Sequence, residues 1–540
     1  MAEATIDPAL ASTTQAPVPE ERGPITADLG TIVSRAARRF GAKTALIAPG
    51  RTLTYHELDD LCDRVAGGLH DIGVRPGDRV SLYSPNRWEW VIAYHAALRA
   101  GAVVNPINVM LTAEEVAFVL NDCGAAAIFA SGDKAEVIAG STLVRSVPTL
   151  RRVISFDGAA GGVTGFGDLL EHPAAAPEVP RPDPADLSTI GYTSGTTGHP
   201  KGAMQSHRAV FLNSAALFAV QTRTDRDVLL SALPLPHVYG NIVMNGTFMA
   251  GATLVLMERF DPAQALAAIQ RHRATVFDGV PTMYAMMLAD PSLPGTDLSS
   301  LRICGVGGQT MPAAKMAEWE RRSGAPLLEL WGMTELGGAG TANPVYMPNV
   351  HGSIGFALPG AEARVAALDD ARVTMPDGEP GELMIRGPLV MLGYYGNEPA
   401  TRAAIEPDGW MHTGDIATRD EEGRYFVVDR RKDLIITGGF NVYSAEVEQV
   451  LLAHPGVLDC AVIGLPDDKW GERVTAVIQP HPGQDVTDQD IRAFVKARLG
   501  SVKTPKQVEV WPDLPRSKLG KILKNEVKSQ LLSQADHDRH

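Results

Sequence analysis

Cysteine is scarce in this chain of 540 residues: only Cys62, Cys123, Cys304 and Cys460 occur, and no two form a CxxC pair. That spacing suggests neither a disulfide framework nor a structural zinc site, and reads as small buried residues in a reducing, cytoplasmic setting. A surplus of basic charge is also missing. Lys and Arg number 49 against 63 Asp and Glu, a net charge of −14, which argues against wholesale binding to nucleic acid or anionic lipid. The chain opens on MAEATIDPALASTTQAPVPEERG, with acids and prolines where a secretory signal needs a basic start and an apolar run. Residues 1–27 are therefore expected to be a mobile tail. The closing DHDRH is neither a lipidation nor a peroxisomal signal. An integral membrane segment is not expected either. Residues 228–257 carry no Asp, Glu, Lys or Arg, but Pro234, Pro236, His237, Asn241 and Asn245 break the stretch as a single helix. A buried strand, a polar loop and a core helix are expected there.

What is present is a globular composition, 45% apolar and 21% charged. Its length exceeds one ordinary core and predicts two to four units. From about residue 30 the pattern alternates helix and strand. Residues 31–40 carry apolar positions at helical spacing. Residues 53–73 read as a helix entered through Thr54, with Glu57 closing a capping box. Residues 78–86 and 125–131 read as strands, and 88–101 as a helix. This rhythm predicts largely parallel sheets with helices on both faces. After about residue 350 the Gly- and Pro-rich text, with GELMIRG (381–387) and GRYFVVDR (423–430), predicts antiparallel strands. DRRKD (429–433) then precedes about a hundred residues with strands and helices of their own, a candidate small domain.

The sharpest local signal is GYTSGTTGHPKG (191–202), which follows a strand-like step. Gly195 and Gly198 allow close backbone approach; Ser194, Thr196 and Thr197 bring hydroxyls, and Lys201 a cation. Together these suit a polyphosphate. The Gly195–Lys201 spacing equals that of a Walker A loop. Pro200 and Gly202 stand where that loop needs Gly and Ser/Thr, which excludes a P-loop NTPase.

YTSGTTGHPKG resembles the phosphate loop of the AMP-forming acyl-CoA synthetases, in the adenylating superfamily of firefly luciferase and peptide-synthetase adenylation domains. The resemblance covers nearly all of residues 30–525, in the family's order. It runs through LTYHEL (53–58), GAVVNPIN (101–108), LPLPHVYG (233–240), VGGQTMP (306–312) and LWGMTE (330–335). It continues through GELMIRGPLVMLGYYGNEPAT (381–401), GWMHTGD (409–415), DRRKDLIITGGFNVYSAEVE (429–448) and LPRSKLGKILK (514–524). The implied fold is α/β. A large N-terminal domain (28–428) has two mostly parallel sheets with flanking helices and a small β-barrel-like subdomain. A hinge (429–433) leads to a small mobile α+β domain (434–540).

The resemblance also implies residue roles. Thr193, Ser194, Gly195, Thr196, Thr197, Gly198 and Lys201 are expected on ATP, with Gly308, Gln309, Trp331 and Gly332. The family usually has Tyr where this chain has Trp331; either ring can stack on adenine, but the phenol hydroxyl is gone. Thr334 is expected on the α-phosphate and Glu335 on a magnesium ion bridging the phosphates. Asp415 is expected to receive both ribose hydroxyls, with Arg430 beside it. Lys521 is expected between the attacking carboxylate and the α-phosphate, where it stabilises developing charge. The family often has Thr where Leu519 stands. His237 resembles a gate residue beside the acyl carboxylate. Acyl-pocket walls carried over by position are His237, Tyr239, Asn241, Phe277, Gly307, Gly332, Gly337, Gly338 and Ala339. The glycine-rich 332–339 run implies room there. No Lys or Arg among these walls pairs a second carboxylate, which disfavours dicarboxylates. Lys432 is expected to be the pivot, and Gly438, Gly439 and Phe440 to meet the pantetheine arm of coenzyme A.

Read alone, each residue has a plainer meaning: a buried Trp, a solvated Glu, an Asx turn, a surface Lys. The implied activity is formation of an acyl-CoA thioester from a carboxylic acid, ATP and coenzyme A. His237-Val238-Tyr239 resembles the hydroxycinnamate-CoA ligases, whereas FDGVPTMY (277–284) suits fatty acyl-CoA synthetases equally. A carrier-loading adenylation enzyme and a luciferase-like monooxygenase would share most motifs. Self-association is compatible with the sequence. Residues 492–528 hold ten Lys/Arg against three acids, a local excess suited to polyanionic small molecules.

Overall fold

The computed structural model describes residues 27–158, 163–173, 178–193, 200–467, 469–516 and 522–537. Two large sheets dominate. One has nine strands, in the order Phe356–Ala357, Gly338–Ala342, Leu327–Met333, Ile303–Val306, Val276–Gly279, Val228–Ser231, Thr253–Leu256, Thr44–Ala48, Arg51–Thr54. Its six central strands are parallel, and antiparallel partners close both edges. The other has eight, from Gly393–Tyr394 through Lys201–Ser206, Leu187–Thr193, Val103–Pro106, Arg79–Tyr83, Ala125–Ala130 and Arg152–Ser155 to Thr164–Gly165.

Local rules account for many elements. The helix Tyr55–Asp71 starts at Thr54, and the reciprocal bonds of its capping box with Glu57 are made. The uncharged 228–257 stretch resolves into two adjacent parallel strands joined by the helix Val238–Ala250, which is buried from Tyr239 to Phe248. A helix covered on all faces belongs in a core. The helix Trp88–Arg99 is covered in the same way, and the tyrosine Tyr94 on it bonds to Asn241 and Asn245 of the first. No helix among the described residues is long and apolar enough to cross a membrane.

The antiparallel region after residue 350 is a four-stranded sheet: Glu362–Ala366, Gly381–Arg386, Met411–Arg419, Tyr425–Arg430. Its last strand runs into a 3₁₀ turn, Arg431–Asp433. Beyond lies a five-stranded sheet with the helices Ser444–Leu452, Asp488–Lys503 and Lys524–His537. Ile435, Val442, Val447, Val462, Val474 and Ile478 give this region a core of its own.

Candidate active site

The glycine-rich loop joins two antiparallel strands whose final pair is Thr193 with Lys201. Ser194, Gly195, Thr196, Thr197 and Gly198 lie outside the described residues, as does Lys521. The hairpin aims Lys201 at Tyr394, whose ring lies 5.2 Å from the ammonium. Tyr394 in turn donates its hydroxyl to Glu335 Oε1 at 2.9 Å. Burial, and then the Glu335 charge, push the Tyr394 phenol well above its usual pKa, so it stays a donor.

Glu335 is only 8% exposed. It sits in the 3₁₀ turn Thr334–Leu336, immediately after the strand Leu327–Met333. Two side chains hold that turn. Gln205 donates to the Thr334 carbonyl at 2.6 Å. Asn213 donates to the Leu336 and Ala339 carbonyls and accepts from the Ala339 N–H. Gly191 lets the turn approach: a Cβ there would stand 2.8 Å from Thr334 Cγ2. The structure thus brings Lys201, Thr334 and Glu335 together. A buried carboxylate beside a phosphate-type loop fits a hard cation that takes its remaining ligands from phosphate and water. Among the described residues there is no cluster of three or more His, Cys, Asp or Glu that would cage a metal by itself.

Three residues before the turn, Trp331 donates its indole N–H to Asp415 Oδ2 at 2.7 Å. Asp415 is cross-strand from Arg430, whose Nε lies 3.5 Å from Oδ1. Trp331, Asp415 and Arg430 therefore form one cluster at the junction of the nine- and four-stranded sheets. Behind it, Glu382 bonds to His412, Arg431 and the Gly414 N–H. Burial works against the His412 charge, but its hydrogen bonds to Glu406 and Glu382 outweigh it and raise the imidazole pKa.

On the acyl side, His237 caps the helix Val238–Ala250, with Nδ1 accepting from the Tyr239 N–H at 3.2 Å. Its ring is solvent-accessible yet crowded by protein, the situation of a side chain in a cleft, and that crowding lowers its pKa. Tyr239 Oη donates to Asp278 Oδ1 at 3.3 Å. Asp278 also holds Arg223 through bonds of 2.6 and 2.7 Å, with both side chains essentially unexposed. A cation thus stands beside the proposed acyl site, but its charge is already paired.

Phe277 is not on this face. It packs edge-on against Tyr284, 5.4 Å away and fully buried, because neighbouring strand residues point to opposite sides; Asp278 faces Tyr239 instead. The 332–339 glycines differ in their surroundings: Gly332 is exposed on one side, whereas Gly337 and Gly338 are buried. A Cβ on Gly332 would meet the Gly338 carbonyl at 2.0 Å, and one on Gly338 would meet Asn213 and Ile242. They allow two strands and a helix to touch. Gly337 and Ala339 are buried in the same packing, and Asn241 is engaged with Tyr94 and Asn245. Gly307 is buried against Leu330, while Gly308 and Gln309 are exposed after the strand Ile303–Val306.

Lys432 lies in the 3₁₀ turn after Arg430. Gly438 and Gly439, with φ of 58° and 81°, make the two-residue turn between the paired residues Thr437 and Phe440. Phe440 is 60% exposed beside them, in the smaller region. Tyr394, Gln205, Asn213, Arg223, Asp278 and Glu382 escaped the sequence reading. Tyr394 carried the best signal, an aromatic pair inside GYYG.

The AMP-binding enzyme family matches residues 33–395, and the AMP-binding enzyme C-terminal domain matches 446–521. A 3-[(3aS,4S,7aS)-7a-methyl-1,5-dioxo-octahydro-1H-inden-4-yl]propanoyl:CoA ligase of Mycobacterium tuberculosis is 38% identical, over 93% of this chain and 99% of that protein. A feruloyl-CoA synthase of Amycolatopsis is 37% identical, over 93% and 98%. A long-chain-fatty-acid–CoA ligase of Bacillus subtilis is 33% identical, over 95% of each. The crystal structure of ATP-bound MatB from Rhodopseudomonas palustris superposes with a TM-score of 0.86 at 33% identity, covering 94% of this chain and 99% of that one. The chain belongs to the AMP-binding enzyme family and is an AMP-forming acid–thiol ligase of the acyl-CoA synthetase type.

Proposed function

We propose that this enzyme converts a ring-bearing, hydroxycinnamate-like monocarboxylic acid into its CoA thioester. In the first half-reaction the acid's carboxylate attacks the α-phosphorus of ATP, forming acyl-AMP and releasing pyrophosphate. Trp331 carries the adenine, Asp415 and Arg430 the ribose, and Thr193 to Lys201 with Thr334 the phosphates. Glu335 would hold magnesium, which when bound neutralises phosphate charge. Tyr394 keeps the Glu335 carboxylate oriented as an acceptor. Lys521 stabilises charge developing at the α-phosphate. In the second half-reaction the CoA thiol displaces AMP, after the region beyond 433 turns about Lys432 and presents Gly438, Gly439 and Phe440.

The adjacency of the Trp331–Asp415–Arg430 cluster to the Lys201–Tyr394–Glu335 line carries this reading: a nucleoside receptor beside a polyphosphate receptor. The ring preference is supported by Tyr239, held through its hydroxyl on the Asp278–Arg223 pair. It is also supported by two relatives of 37–38% identity named for ring-bearing acyl groups. The fatty-acid reading rests on the Bacillus ligase. Pyrophosphate release and thioester formation with free CoA should be measured for ferulate, coumarate, benzoate and C8–C16 fatty acids. Turnover of the hydroxycinnamates is expected. Exclusive turnover of fatty acids would replace the ring reading, and acyl-AMP without thioester would point to a carrier protein as acceptor.

A further inference from the structure

The Trp331 indole does more than offer a face to a base. Its N–H reaches Asp415 Oδ2 at 2.7 Å, 84 residues along the chain and on another sheet. We propose that Trp331 is a positioning residue for Asp415, orienting through its N–H the carboxylate that receives the ribose.

Three observations carry this. Indole is a donor only, so in this bond Asp415 Oδ2 is always the acceptor and the roles cannot exchange. Arg430 Nε faces the other oxygen at 3.5 Å, so each carboxylate oxygen has a partner of its own. The ring is itself immobile: Trp331 is 9% exposed and packs with Leu336, Ile354 and Ile385. Gly340 closes over it, since a Cβ there would stand 2.7 Å from the six-membered ring. The direction of the N–H is thus set by packing, and the carboxylate inherits it. A phenylalanine in this place would stack equally well but leave Asp415 untethered to the large sheet. Hydrogen bonds to a charged, largely covered group are about twice as strong as neutral ones.

The inference rests on the ribose role proposed for Asp415, and the experiment separates the two. Dissociation constants for ATP, 2′-deoxy-ATP and 3′-deoxy-ATP are measured by titration calorimetry on the parent, Trp331→Phe and Asp415→Ala. In the parent, at least one deoxynucleotide should bind about tenfold more weakly than ATP. Trp331→Phe should weaken ATP about tenfold but that deoxynucleotide less than twofold, because the lost bond served the missing hydroxyl. Asp415→Ala should show the same selective loss. Equal weakening of ATP and the deoxynucleotide by Trp331→Phe, or no weakening, overturns the positioning role. A parent that does not discriminate, or an unselective Asp415→Ala, overturns the ribose reading instead. Benzothienylalanine at position 331 keeps the bicyclic shape and removes only the N–H. It should reproduce the Trp331→Phe pattern, and it decides the matter if the Phe variant fails to fold.

Discussion

Replacing Asp278 by Asn removes the carboxylate bonded bidentately to Arg223, a guanidinium with no exposed surface. A cation of that kind left without its partner costs about 3–5 kcal/mol. That is a large share of the roughly 5–15 kcal/mol that holds a domain together. The loss comes from the stranded charge rather than from the bond itself. The double variant Arg223→Met/Asp278→Leu should therefore recover most of it, although Tyr239 and Gln221 each lose a partner. Urea unfolding followed by tryptophan fluorescence gives Arg223→Met, Asp278→Leu, the double variant and the parent as a cycle, with Asp278→Asn measured beside them. A coupling of at least about 2 kcal/mol is expected. If Asp278→Asn costs less than about 1 kcal/mol, or the double variant is no better than the single, the pair is solvated and the argument fails. The same variants bear on the acyl side: loosening Tyr239 should lower turnover of ring acids more than that of ATP–pyrophosphate exchange with a small acid.

Glu329, buried two residues before Trp331, has its pKa pushed up to about 7 by burial, against the opposing Gly352 and Met311 amides. A carboxyl raised in the folded state stabilises fully below its unfolded value of 4.5 and loses that contribution as pH rises through about 7. The shift corresponds to about 3 kcal/mol. Glu329→Gln should flatten this slope, and a stability difference from the parent that stays constant from pH 4.5 to 8 would contradict it. Lys521→Ala should suppress acyl-AMP formation while largely sparing thioester formation from supplied acyl-AMP; equal loss of both half-reactions would sink its assignment. Gly191→Ala puts a methyl group against the stiff, β-branched Thr334 and should lower kcat/KM for ATP about tenfold with little change in expression or unfolding midpoint. Unchanged kinetics would show that the turn can move aside.

Much of the architecture was legible because it depends on near neighbours. The Thr54–Glu57 box acts over three residues, and the observed helices Trp88–Arg99 and Ile32–Phe40 follow their expected spans to within two residues. The segment 228–257 declared itself a core unit through its prolines and asparagines. Positions within the site were another matter. Alternation along the strand Val276–Gly279 says that Phe277 and Asp278 face opposite ways, but not which of them meets Tyr239. The glycines of 332–339 announced small side chains, and only the packed strands showed that the Gly338 carbonyl closes one side of Gly332 and that Asn213 fills the space at Gly338.

By itself, the sequence determined the α/β rhythm, the order of the motifs and the adenylating family, since these are written in local periodicity, turn chemistry and residue type. Tertiary structure alone decided that Tyr394 links Lys201 to Glu335, that Arg223 pairs with Asp278, and that Trp331 reaches Asp415. Those partners stand 55 to 193 residues apart on different strands, turns and loops, so no spacing rule encodes them. They meet because sheet order and the close approach of glycine-bearing strands bring them to one place.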